Sequence, residues 1–389
     1  MLKVIIVIPT YNEKGNVAPV TSALVKVFRE CQDYDTHILF VDDNSPDGTR
    51  REIDQLIKKY PFVHILNNKR KGGLGHAYKK GFSYAIDKLR ADILIQFDAD
   101  LQHDQEIIPA MLASLAGGAD MVLGTRYIRG GGIPQNWPPS RKFLSIVGNL
   151  FIRFIMFNFR LHDWTTGYRV IKREVVEAIL PGLNHPAFNG YTYNIGFLVK
   201  SIQKGYTVTE VPFRFKDRTA GNSKLGPEYI FNTMRYIMKV RISEIVASRI
   251  FKFILVGGFG SLVQFVFLYL YRQFIPAYQL AIFLSIETAI VSNFIWSNLW
   301  TFADRRLKPA QIPGKFVQFN LASAGSIIIQ QIVAFVGEKF IGLFPLFIVP
   351  LIKLPVDTGV MYAVLGILIG MFWNFFAYSR FVWKKKELK

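Results

Sequence analysis

The chain has 389 residues, a length that suits about two to three domains, and a formal net charge of +19. No zinc-finger spacing or recognition-helix pattern accompanies that charge, and much of it flanks apolar segments, so it points away from nucleic acid and toward anionic lipid and phosphate. A single cysteine, Cys31, excludes an internal disulfide and a cysteine zinc cluster; it reads as an ordinary residue, with the soluble part facing a reducing compartment.

The amino-terminal apolar stretch is too short, and has too little cleavage-site character, for a signal peptide; it reads as a buried first strand. Short aliphatic runs at 4–8, 36–41, 62–66, 93–97 and 121–123 alternate with stretches that suit helices, such as 17–30 and 75–89, which predicts a parallel sheet covered by helices. Ligands of such sheets lie beyond the carboxyl ends of the strands. The polar motifs sit there: Pro9-Thr-Tyr-Asn-Glu13, Asp42-Asp-Asn-Ser-Pro-Asp-Gly48 and Asp98-Ala99-Asp100-Leu101-Gln102. Side chains alternate along a strand, so Asp98 and Asp100 are expected on one face, able to reach a Mg2+ or Mn2+ that carries diphosphate oxygens. A sugar nucleotide is the ligand such a metal implies. Lys71-Gly-Gly-Leu-Gly-His-Ala77 opens a helix, and its backbone amides are expected to face an anion.

Two stretches mix an apolar face with cations, the pattern of a helix lying on a membrane: 141–160, and the linker 226–249. Beyond them, the runs 251–271, 277–299, 316–336 and 356–378 each hold roughly twenty mainly apolar residues, the length that crosses a bilayer. Residues 250–389 therefore read as an all-α domain of four transmembrane helices. Asn293-Phe-Ile-Trp-Ser-Asn-Leu-Trp-Thr-Phe302 is echoed by Asn374-Phe-Phe-Ala-Tyr-Ser-Arg-Phe-Val-Trp383, and Phe259-Gly-Ser261 by Ala324-Gly-Ser326, so the domain reads as two two-helix repeats. Trp296, Trp300, Trp373 and Trp383 suit the headgroup level, and Glu287 is the main mid-span charge. Arg241 and Arg249, then Arg305, Arg306, Lys308 and Lys315, then Lys384 to Lys386, place three flanking segments on the cytoplasmic side. Both termini and the soluble domain are thus expected in the cytoplasm.

The order of the soluble motifs resembles glycosyltransferase family 2 over nearly all of residues 1–225. Gly124-Thr-Arg-Tyr-Ile-Arg-Gly-Gly-Gly-Ile133, then Trp137, Arg141 and Ser145, then Asp163-Trp-Thr-Thr-Gly-Tyr-Arg169 and the segment from Glu210 to Leu225, are similar to the polyprenyl-phosphate hexose synthases, above all the dolichyl-phosphate mannose synthases. The membrane half resembles the small four-helix proteins that accompany polyprenyl-linked glucosyl transfer. The resemblance implies an α/β catalytic domain of the GT-A (nucleotide-diphospho-sugar transferase) fold. It implies that Pro9, Tyr11, Glu13, Asp42, His76, Asp98 and Ala99 bind the nucleotide, and that Asp98, Asp100 and Gln102 hold a divalent cation, Mg2+ or Mn2+. Arg126, Arg141, Ser145, Arg218 and Lys224 would receive the acceptor phosphate, with Asp100, Arg126 and Arg218 carrying catalysis.

The activity so implied is transfer of mannose from GDP-mannose to membrane dolichyl phosphate, with inversion. Glucose transfer from UDP-glucose to a polyprenyl phosphate is the near alternative, and a lipid-sugar transporter or flippase with a sugar-nucleotide sensor is the distant one. A processive polysaccharide synthase is set aside, since no Gln-x-x-Arg-Trp segment occurs.

Overall fold

The computed structural model describes residues 1–216, 227–276, 278–342, 344–349 and 354–383. It divides into an α/β unit, Met1–Arg241, and a helical unit, Ile242–Lys389. In the first, seven strands form one sheet: β1 (Leu2–Thr10), β2 (Tyr34–Asp42), β3 (Val63–Asn67), β4 (Ile93–Gln96), β5 (Met121–Thr125), β6 (Arg169–Lys172) and β7 (Val208–Pro212), in the order β3-β2-β1-β4-β6-β5-β7. All five expected strands form, but the sheet is mixed, because β6 runs antiparallel to both β4 and β5. After β5 the chain returns to the sheet at the edge it left, with Arg169 opposite Leu123 and Gln96, so β6 has to run the other way.

Helices α1 (Val17–Phe28), α2 (Thr49–Lys59), α3 (Leu74–Asp87), α4 (Ile108–Ala116), α5 (Pro139–Ile155), α6 (Arg173–Ile179) and α7 (Thr192–Gln203) cover the sheet. The central strand β1 is apolar on both sides, as a strand buried on both faces must be. Val4, Ile6 and Ile8 pack with α1, α2 and α4, whereas Ile5 and Val7 pack with α3, α6 and α7. Cys31 is buried in the first of these cores, and burial raises its thiol pKa, as befits an ordinary core residue. Helix α8 (Pro227–Ala247) contributes Ile237 to the second core.

In the helical unit, α9 (Arg249–Phe274) packs on α10 (Tyr278–Trp296), and α11 (Ile312–Phe340) on α12 (Thr358–Ala377). Both α10 and α12 run on into a π-helical turn, at Ser297–Thr301 and Tyr378–Val382, inside the two echoed segments. The last residues of those segments, Phe302 and Trp383, stack on each other with ring centroids 4.6 Å apart and planes 8° apart. Trp383 is therefore a core residue and not a headgroup anchor, while Trp296, Trp300 and Trp373 are exposed. The stretch between α11 and α12 adds a hairpin, β8 (Pro345–Val349) with β9 (Leu354–Asp357), so the unit is not purely helical. Among the described residues no single helix is long and apolar enough to cross a membrane, but the pair Phe231–Ala247 and Arg249–Gln264 meets that requirement together.

Gly81 marks how closely α3 approaches the sheet: a Cβ there would lie 2.6 Å from Val7 Cγ1 and 2.8 Å from Val41 Cγ2. Gly81→Ala should therefore cost about 1–3 kcal/mol through overpacking, read as a lowered denaturation midpoint of the α/β unit in urea.

Candidate active site

Strands β1, β2 and β4 are parallel neighbours, so the loops leaving their carboxyl ends meet along one edge of the sheet. The first two loops are laced together. Thr10 Oγ1 donates to Asp42 Oδ1 at 3.1 Å, the Asn12 N–H to Ser45 Oγ at 3.0 Å and the Glu13 N–H to Thr49 Oγ1 at 2.9 Å. Asp42 also accepts from the Ser45 N–H at 3.0 Å and hydroxyl at 2.6 Å, so its carboxylate first of all shapes its own loop. Asp43, which sequence reasoning passed over, accepts from Asn68 Nδ2 at 2.7 Å and from the Gly72 N–H at 2.9 Å. Lys71 Nζ lies 4.1 Å from the centroid of the Tyr11 ring, and this cation–π contact closes the first loop on the glycine-rich one. Pro9, Tyr11, Glu13, Asp42 and His76 are thus held around three interlocked loops.

The glycine-rich segment departs from its expected role. The N–H groups of Gly75 and His76 both donate to the Asn189 carbonyl, at 2.8 and 3.2 Å. A Cβ on Gly75 would lie 2.1 Å from the Phe188 carbonyl oxygen, and one on Gly73 2.6 Å from that of Asn189. These glycines let α3 dock against the protein's own backbone, so an anion meets no opening at those two amides. Burial lowers the pKa of His76 and favours its neutral form.

Strand β4 stops at Gln96, and the chain then turns through Leu101 at φ 58°. Asp98 and Asp100 therefore stand on a turn, beyond the reach of strand alternation. Hydrogen bonds place them instead. The Tyr78 hydroxyl donates to Asp98 Oδ1 at 3.0 Å, and the Gln102 N–H to Asp100 Oδ1 at 3.2 Å. The Asp98 N–H donates to His103 Nδ1 at 3.1 Å. That leaves the proton of the neutral ring on Nε2, 3.6 Å from Asp98 Oδ2. His103 is fully buried, stacked on Tyr168 with centroids 4.7 Å apart, and burial lowers its pKa to about 4. Gln102 Nε2 donates to the Lys216 carbonyl at 3.2 Å, which ties this turn to the segment after β7. Ala99 is buried within the turn.

That segment also supports a second group of the expected residues. Phe215 lies 5.3 Å below the Arg126 guanidinium and edge-on to Trp137 at 5.6 Å, and Arg141 stacks on Trp137 at 3.8 Å. Tyr127, beside Arg126, exchanges a 2.5 Å hydroxyl hydrogen bond with Ser145. Arg126, Arg141 and Ser145 are thus brought together around Tyr127, Trp137 and Phe215. Arg126 is not a loose cation: its Nε and Nη2 bind both oxygens of Asp163 at 2.7 and 2.8 Å, a fork-to-carboxylate pair. Arg218 and Lys224 lie outside the described residues.

Arg141 and Ser145 ride on α5, whose positions 143, 147, 150 and 154 form one apolar face. Phe143 is 67% exposed and Phe154 68%, too much apolar surface for a helix meant to face water alone. The helix ends before the expected 160, because Phe157 takes a left-handed φ of 51°.

The chain matches the glycosyl transferase family 2 domain over residues 5–180 and the GtrA/DPMS transmembrane domain over residues 252–383. It is 33% identical over 364 residues to the dolichol-phosphate mannosyltransferase of Pyrococcus furiosus, across 93% of this chain and 98% of that one. The chain belongs to the dolichol-phosphate mannosyltransferase family. It is thus a glycosyltransferase, and its GtrA/DPMS domain makes it a membrane protein. It is also 36% identical over 233 residues to the polyprenol monophosphomannose synthase of Mycolicibacterium smegmatis, across 60% of this chain and 84% of that one. Among solved structures, a mannosyltransferase from Pyrobaculum calidifontis in complex with GDP-Man and Mn2+ is 15% identical with a TM-score of 0.39, across 76% of this chain and 87% of that one.

In this family member, sequence reasoning gave no role to Tyr78, His103, Tyr127, Asn149 or Phe215, and none to Asp163 or Glu210 beyond their place in family segments. Their signal was faint: Asp163 is followed directly by Trp164 and Glu210 by Val211 and Pro212, apolar neighbours beside which a carboxylate needs a partner.

The buried His103 has a pH consequence. Its folded pKa of about 4 lies below its ordinary 6.5, so the unfolded chain binds the proton more readily. The stability it contributes is whole above pH 6.5 and is lost as pH falls toward 4. Denaturation of the full chain at stepped pH should show that slope, and His103→Phe should flatten it.

Proposed function

We propose that the chain transfers mannose from GDP-mannose to the phosphate of dolichyl phosphate at the cytoplasmic face of the membrane. The products are GDP and, by inversion, β-linked dolichyl phosphate mannose. The observation that carries this is the similarity to a dolichol-phosphate mannosyltransferase through both domains, across 93% of the chain.

The chemistry of the donor set fits a hard cation. Asp98 and Asp100, with the amide of Gln102, offer oxygen ligands at the strand-end turn. Two carboxylates suit Mg2+ or Mn2+, which completes its shell with substrate phosphates and water. When bound, the cation would neutralise charge on the departing diphosphate. The loops carrying Pro9, Tyr11, Glu13 and Asp42, with His76 and Ala99, frame the nucleotide. Asp42 does so by holding its loop in shape.

On the other side, Arg126, Arg141 and Ser145 receive the acceptor phosphate, joined in this reading by Arg218 and Lys224. A phosphate oxygen is already anionic near neutral pH, so no side chain has to remove a proton. Asp100 and the cations then act by positioning and by charge. The exposed apolar face of α5 lies in the headgroup layer, which keeps Arg141 and Ser145 at the depth where a lipid phosphate resides.

Radiolabelled GDP-mannose and UDP-glucose, supplied in parallel to purified protein with dolichyl phosphate and Mg2+ or Mn2+, test the reading. Label should enter the lipid phase from GDP-mannose alone, vanish on chelation, and fall at least about 100-fold in Asp100→Ala. Lipid label from UDP-glucose alone would replace the donor, and transfer undiminished by chelation would remove the metal. For α5, the double variant Phe143→Asp, Phe154→Asp should slow transfer to dolichyl phosphate held in vesicles by about 10-fold or more in the same label assay, since burying each side chain is worth about 1.5–3 kcal/mol. Its use of a short soluble isoprenyl phosphate should persist.

A further inference from the structure

Asp163 is fully buried, so its charge must be compensated where it stands. It accepts from Arg126 three times, from Nε at 2.7 Å, from Nη2 at 2.8 Å and from the backbone N–H at 3.2 Å, and from the Thr165 hydroxyl at 3.2 Å. Arg126 Nη2 donates in addition to Thr165 Oγ1 at 2.8 Å. A guanidinium has five N–H donors. Asp163 and Thr165 together engage its Nε–Nη2 edge, which leaves the Nη1 end as the part able to bind a ligand phosphate.

The carboxylate is itself anchored at both ends. Glu210 on β7 accepts from the N–H of His162 at 2.8 Å and of Asp163 at 3.1 Å, and its other oxygen meets His162 Nδ1 at 2.7 Å. Asn149 on α5 accepts from the Trp164 N–H at 2.8 Å and donates to Thr165 Oγ1 at 3.3 Å and to the Ser145 carbonyl at 2.9 Å. A single strut therefore runs from β7 through 162–165 to Arg126 on one side and to the Ser145 turn of α5 on the other. Among the described residues, none of the side chains of Asp163, Thr165, Asn149 and Glu210 hydrogen-bonds to the loops 9–13, 42–48 or 98–102.

We propose that Asp163 is a positioning residue for the acceptor: by fixing the Arg126 fork directly, and the Ser145 turn of α5 through Thr165 and Asn149, it sets where the attacking phosphate sits while the donor loops are set independently. The assignment rests on the transferase reading above. A residue that only held the fold together would affect both substrates when changed, whereas this one acts on the acceptor.

Asp163→Asn keeps the shape but replaces the charge and one acceptor oxygen with donors that oppose Arg126. On the full chain in detergent, transfer from GDP-mannose to farnesyl phosphate is followed at steady state, and binding of farnesyl phosphate and of GDP-mannose is followed separately by calorimetry. The acceptor KM and the farnesyl phosphate Kd should rise roughly 10–100-fold, with the GDP-mannose Kd unchanged, and Asp163→Glu should recover part of the loss. Equal weakening of both ligands, or a lower kcat at unchanged acceptor KM, would overturn the assignment. Should Asp163→Asn fail to fold, Glu210→Gln loosens the same strut from its far end and is read by the same split. If the unaltered chain makes no lipid product the transferase reading falls, while the farnesyl phosphate Kd still reports on Asp163.

Discussion

A carboxylate can be taken out of water only where cations or N–H donors replace its hydration, and the protein does this twice within one layer, at Asp163 and Glu210. Much of the arrangement around Arg126 follows from those two charges. Arg126 is drawn into a forked pair, the segment 162–165 is pinned by its backbone amides, and α5 is tied in through Asn149. Pinning that segment also delivers the chain to the sheet at the carboxyl end of β5, which is why β6 enters antiparallel. Burial alone would lower the pKa of Arg126, but the Asp163 carboxylate outweighs it and raises that pKa further, so the pair stays ionised and neutral as a unit. The region around Arg126 is accordingly less positive than a count of its arginines implies.

The loops after β1 and β2 are held on a different principle. They are held by many small hydrogen bonds among Thr10, Asn12, Asp42, Ser45, Asp47 and Thr49. His103 shows why a neutral group serves beside Asp98. It accepts the Asp98 N–H and directs its own N–H toward the same residue's carboxylate, so it orients Asp98 without cancelling the negative charge that a cation would seek. The segment around Arg126 is thus held by a forked ion pair, and the loops 9–13 and 42–48 by hydrogen bonds onto the Asp42 and Asp47 carboxylates, two separate means of support.

In the helical unit the echo between the two halves has a physical expression. Equivalent residues Phe302 and Trp383 meet ring on ring, each following a π-helical turn, and Phe294, Phe319 and Tyr378 fill in around them. Gly260 and Gly325, the glycines of the repeated Gly-Ser pair, each make room for a side chain of the partner helix, Asn293 and Trp373 respectively. The close helix approach is thus common to both helix pairs, while what fills it differs.

What the sequence by itself determined were features written in contiguous residues. The apolar runs of β1 to β5 name their strands because a buried strand needs unbroken hydrophobicity, and Asp98-Ala99-Asp100 stood out because two carboxylates follow one such run directly. The family, too, is legible in such local motifs. Only the tertiary structure decided which groups meet. Asp163 pairs with Arg126 across 37 positions and Glu210 reaches the Asp163 amide across 47. Gly75 and His76 give their amides to Asn189 and not to a phosphate. Trp383 left the expected headgroup layer for a core stack. Local pattern reports which residues want to be buried or charged; which partner satisfies them depends on long-range packing, and that packing is what gives Arg126 its Asp163 partner.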